Sequence, residues 1–120
     1  MSLTFFTSKP QQLLNAFNEK IEQEEPAGKI TTWERSDDKA YYTHKAKDWT
    51  KKAWFKPSVQ EGKLVFNIIK PQNMNVTALV YAYYHGHLTE TFLNHFDKSF
   101  TSAQSSALPT TGDLVSNPKK

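Results

Sequence analysis

The chain contains no cysteine, which excludes disulfides, thiolate metal centres, iron–sulfur clusters and thiol nucleophiles. Glycine is nearly as scarce. Gly28, Gly62, Gly86 and Gly112 stand far apart, so neither a phosphate-binding loop nor a dinucleotide fingerprint can be assembled from them. Arginine occurs once, at Arg35, which removes the usual bidentate means of reading bases and argues against sequence-specific readout. No apolar run approaches the ~18 residues that a membrane-crossing helix needs. Met1 to Phe6 lacks a basic start, and its apolar stretch stops at Thr7-Ser8-Lys9, so it does not read as a secretory leader; the cytoplasm is the expected location.

What remains is a chain of 120 residues with a mean hydropathy of -0.66, long enough for one domain with a core. It is rich in rings: eight Phe, five Tyr and three Trp. Its net charge of +3 is unevenly spread. Residues 1–38 carry four basic and seven acidic side chains, residues 39–70 carry eight and two, and residues 71–120 carry three of each. The basic character therefore belongs to the middle third.

Leu13, Leu14, Phe17 and Ile21 recur at helical spacing, which predicts an amphipathic helix from about Lys9 to Glu25. Ser8 and Gln11 match a capping box at its start, and Pro26 and Gly28 stop it. Glu22, Glu24 and Glu25 sit against the macrodipole at that end, which predicts fraying or neutralisation by neighbouring lysines. Between Lys29 and Lys70, β-branched and aromatic runs separated by turn formers predict four strands: Ile30 to Arg35, Ala40 to Lys45, Ala53 to Val59 and Leu64 to Ile69. The turns at 36–39 and 61–63 make an antiparallel meander the simplest pairing. Pro57 cannot donate to a ladder, so its strand is expected at an edge or bulged there.

Tyr81, Tyr84, Leu88, Phe92, Phe96 and Phe100 recur at steps of three or four, which predicts a long helix over 76–100 capped by Asn75. The competing reading makes Thr77 to Tyr84 a fifth strand ended by Gly86, with a shorter helix from Leu88. From Thr101 the aromatics give way to Ser, Thr, Pro and Ala, and 101–120 is expected to be a flexible tail beyond a domain of residues 1–100. Within it, Leu108-Pro109-Thr110-Thr111-Gly112 resembles a sortase sorting signal, but no hydrophobic segment follows. The fold class is α+β: an N-terminal helix, a sheet of about four antiparallel strands and a long C-terminal helix packed on one face.

The densest basic segment runs from His44 to Phe55 and Lys56. There Lys45, Lys47, Lys51, Lys52 and Lys56 interleave with Trp49 and Trp54. Ammonium groups following phosphates and flat rings stacking on bases are how single-stranded nucleic acid is held, so these seven residues are the candidate ligand-binding set. The bland reading is that one ring enters the core while the lysines solvate a strand face. Two further functions stand beside it. An acidic protein is the other partner the basic surface would take; separately, sixteen aromatics exceed what two helices and one modest sheet are expected to cover, and uncovered ones would form a patch for homodimerisation or a partner protein. His85, His87 and His95 with Glu90 would serve an enzyme only if they converge; on one helix, residues two apart point about 200° away from each other. No cofactor motif accompanies them. A small, non-enzymatic binding domain is the function expected from sequence.

Overall fold

The computed structural model describes residues 1–116. Its elements are β1 (Ser2–Phe6), α1 (Pro10–Glu22), β2 (Trp33–Arg35), β3 (Tyr42–His44), β4 (Trp54–Gln60), β5 (Lys63–Ile69), α2 (Ala78–Phe96) and β6 (Ser102–Ser105). The strands form one sheet in the order β2-β3-β4-β5-β1-β6, every neighbour antiparallel. The fold is mixed α and β as expected, and β2 to β5 form the expected meander.

Six strands replace the expected four. β1 comes from the apolar start of the chain: Leu3 and Phe5 alternate into the core, and pairing inserts the strand between β5 and β6. β6 lies in the expected tail. Its four residues are all exposed and carry no apolar alternation, so only backbone bonding to β1 makes them a strand. Residues 102–105 thus pair with the sheet although they lie beyond residue 100, and positions 117–120 of that tail lie outside the described residues.

Both helices are shorter than their periodicity implied. α1 begins after Lys9 with no side-chain cap; Thr7 Oγ1, rather than Ser8, accepts the Lys9 amide at 3.1 Å. At its other end Glu22 is held by Arg35 at 2.9 Å and Lys39 at 2.8 Å, which offsets the unfavourable dipole. α2 is capped by Thr77, whose hydroxyl accepts the Val80 amide at 3.2 Å, not by Asn75. The helix runs unbroken through Gly86, which removes the fifth-strand reading of Thr77 to Tyr84.

Phe66 is the packing centre. Its ring lies within 6.0 Å of Phe5, Phe17, Tyr42, Phe55 and Phe92, with large interplanar angles throughout, the edge-on geometry that ring quadrupoles favour. Phe92 of α2 stacks on Phe5 at 4.1 Å. Helix and sheet are thus joined through aromatic faces, and none of the sixteen aromatic side chains is left exposed. Pro57 sits on β4 beyond Phe55, the last residue to pair with β3, so the proline's missing donor falls on an unpaired side.

β5 is longer than β1. Residues 113–115 continue the edge that β1 leaves free: the Leu114 amide donates to Ile68, and the Lys70 amide donates to Leu114. The Asp113 carboxylate, fully buried, sits at this junction and accepts from the Ile68 amide at 3.1 Å, Asn67 at 2.8 Å and the Thr110 amide at 2.7 Å. The Met1 amino group lies 3.0 Å away. The segment resembling a sorting signal is the turn closed by these bonds, with Gly112 at φ 97° pressed against Asn67.

Burial alone raises the Asp113 carboxyl; the bonds from Thr110, Asn67 and the Met1 amino group outweigh it and hold the group below its ordinary value. A depressed folded value contributes stability that is complete above the unfolded carboxyl value of about 4 and is lost as pH falls through the folded one. Asp113→Ala, which orphans the Ile68 and Thr110 amides, is expected to cost about 2–4 kcal/mol at pH 7 in urea unfolding. It is also expected to flatten the decline in stability below about pH 4 relative to the unsubstituted chain.

Candidate binding surface

The basic segment connects β3 to β4 over a buried polar anchor. Thr43 Oγ1 donates to the Ala53 carbonyl at 2.9 Å and accepts the Lys51 amide at 2.9 Å. The Tyr84 hydroxyl, 3.1 Å from Thr43 Oγ1, donates to the Trp49 carbonyl. Burial raises the Tyr84 phenol, so it remains a donor at neutral pH. The loop backbone is therefore fixed from beneath, and Lys51 is closed into it at φ 60°, a left-handed conformation that a lysine adopts at a cost of roughly 1 kcal/mol.

Lys45, Lys47, Lys51, Lys52 and Lys56 are all exposed, and none forms a salt bridge among the described residues. The two tryptophans part company. Trp49 turns to the helix layer and stacks on Tyr83 of α2 at 3.8 Å and 6°, with the Lys52 ammonium 5.5 Å from its ring. Trp54 precedes the core residue Phe55 on β4 and so lies on the opposite, helix-free face of the sheet. Lys56, two residues on, shares that face. The seven expected residues thus divide into a loop tip (Lys45, Lys47), a helix-side pair (Trp49, Lys52) and an open-face group (Lys51, Trp54, Lys56).

Lys51 and Trp54 of the open-face group border a groove of about 720 Å³. Trp54, Tyr41 and Ile69 contribute to its apolar lining, and Lys51, Lys70 and Arg35 are its cations, Arg35 being paired with Glu22. Glu34, Asp37 and Asp38 make the rim at the β2–β3 side acidic. Tyr41 and Lys70 were not among the expected residues. Period-two alternation beside the core residue Tyr42 places Tyr41 outward, and the meander brings the end of β5 beside Trp54, so both were reachable from strand order.

The histidines are dispersed. His85 stacks on Tyr81 at 4.8 Å, His87 on Tyr83 at 4.1 Å, and His95 lies beside Phe96 at 5.9 Å. Among the described residues no three His, Asp or Glu side chains are grouped to hold a metal. His44, one strand residue past Thr43, is buried among Trp33, Tyr83 and His87. Its Nδ1 accepts the Ala46 amide at 3.0 Å, so the neutral ring carries its proton on Nε2, an atom with no hydrogen-bond partner. Family models, curated proteins and solved structures give no match to this chain.

Burial, reinforced by His87, lowers the His44 value, and burial likewise lowers those of His85 and His95. Here the unfolded chain takes up protons more readily than the folded one. Stability is complete above the unfolded histidine value of about 6.5 and falls as pH drops below it. Urea unfolding midpoints are expected to decline between pH 7.5 and 5.5, and His44→Gln is expected to remove the largest share of that decline.

Proposed function

We propose that the chain is a small binding domain that lays single-stranded nucleic acid across the open face of its sheet. The observation that carries this reading is the groove beside Trp54, where a half-buried indole shares the lining with Lys51 and Lys70 on a face no helix covers. Lys51, Lys56 and Lys70 would meet phosphates while a base stacks on Trp54. The acidic rim closes the β2–β3 end to phosphate, so the strand's path runs along β4, from Lys51 past Trp54 to Lys56. The left-handed Lys51 supports the same role: a glycine would relieve the backbone, yet the chain places a cation there.

Three phosphate contacts to a single strand predict a fall in affinity of roughly 20-fold between 50 and 200 mM salt. Tryptophan quenching by a short oligothymidine is the direct measurement. Trp54→Ala is expected to weaken binding about 5- to 150-fold, the worth of one stacked base, whereas Trp49→Ala leaves it within about twofold. Absence of quenching at 50 mM salt ends this reading, and equal losses in both variants move the contact to the loop tip. Lys51→Gly is expected to raise stability by about 1 kcal/mol while weakening the oligonucleotide, a pairing of signs that a purely structural lysine does not produce.

A further inference from the structure

α2 has one formally charged residue, Glu90, in nineteen. Its outward stripe is Leu79, Ala82, Tyr83, Gly86, Glu90 and Leu93; Leu79 is 71% exposed and Leu93 53%. A solvent-facing helix ordinarily carries its charges on this side. Gly86 is equally unaccounted for within the chain. It lies in mid-helix, where glycine is a poor helix former, and a Cβ there would meet nothing within 4 Å.

The spacing about Gly86 is symmetric. Leu79 lies seven residues before it and Leu93 seven after, close to two helical turns each way. We infer that α2 is a homodimer interface in which two copies pack antiparallel about a two-fold axis at Gly86, Leu79 of each copy meeting Leu93 of the other. Such an axis makes one patch serve both partners. It reverses a residue's height along the helix and keeps its sideways offset. Tyr83 and Glu90 lie about 40° and 20° to the same side of Leu79, and about 4.5 and 6 Å below and above Gly86. The axis therefore brings Glu90 of one copy against Tyr83 of the other, beside the Trp49–Lys52 shelf stacked on it, where the Lys52 ammonium supplies the opposite charge.

A nineteen-residue helix is about 28 Å long, so a contact built on one such helix and the shelf beside it is expected at the small end of stable interfaces, at or below about 800 Å² per partner. A micromolar dissociation constant is therefore expected. The contact leaves the open sheet face free and does not rest on the nucleic-acid reading.

Sedimentation equilibrium over roughly 1–500 μM is the test. The unsubstituted chain is expected to dimerise in the micromolar range, and Leu93→Glu to be monomeric with its thermal midpoint unchanged. Gly86→Ala separates interface from fold. It is expected to raise the monomer's thermal midpoint by about 2–5 °C yet weaken dimerisation at least about tenfold, because the methyl props the helices apart. Lys52→Glu weakens association and the added Glu90→Lys restores it. A strict monomer throughout the range overturns the inference. So does a dimer indifferent to Leu93→Glu, including one broken instead by Gln104→Pro, which would place the contact at the free edge of β6.

Discussion

The Tyr84 hydroxyl decides where the basic loop can go. It rises from α2 into the layer between helix and sheet, donates to the Trp49 carbonyl, and sits against the Thr43 hydroxyl that binds both Ala53 and Lys51. Because these atoms are buried, each unmade bond would carry its full desolvation cost, about 1–3 kcal/mol. The lysine-rich connection is thus not a loose excursion. Its two ends leave β3 and enter β4 at fixed points, and the tryptophans at those points are sent to opposite sides of the sheet.

That division gives the molecule two separate ring-bearing surfaces. On the helix side, Trp49, Tyr83 and His87 form a ladder of stacked rings roofed by Lys52. On the open side, Trp54 and Tyr41 face outward with Lys51 and Lys70 at the same groove. The two share a backbone segment of six residues but no surface. His44 packs against that ladder, beside Tyr83 and His87, accepting a loop amide on one nitrogen and holding an unpaired proton on the other. A buried polar atom left without a partner is uncommon and makes the junction sensitive to protonation.

Much of the centre of the fold was legible in the sequence, because strong periodicity records burial. Leu13 and Phe17 in α1, Tyr84, Leu88 and Phe92 in α2, and the meander from β2 to β5 all follow from spacing. The edges were not legible. β6 is Ser-Ala-Gln-Ser, four exposed residues with no apolar alternation, and its strand state depends on a backbone partner about a hundred residues away. Helix ends erred for a related reason: Ser8 and Asn75 have the right chemistry for caps, yet Thr7 and Thr77 hold the amides. For the candidate surface, composition singled out the lysines and rings, while their separation into two faces depended on the alternation at Trp54 and Phe55 and on the Tyr84 anchor beneath the loop that carries Trp49.

The arrangement of β1 between β5 and β6 has a consequence for how the chain acquires its structure. Ser2 to Phe6 is made well before its partners, residues 63–67 and 102–105. The segment at 113–115 that completes the edge of β5 follows later still. A polypeptide leaving the ribosome in order therefore carries an apolar strand, Leu3 and Phe5 included, with no sheet to bury it in until residues 63–67 have emerged. Such long-range pairing is slow to close because the loop entropy is lost before the contacts repay it. The meander and α1 can assemble early, but the sheet is finished only when its last strands arrive. During that interval Leu3 and Phe5, buried in the finished fold, stand without their cover.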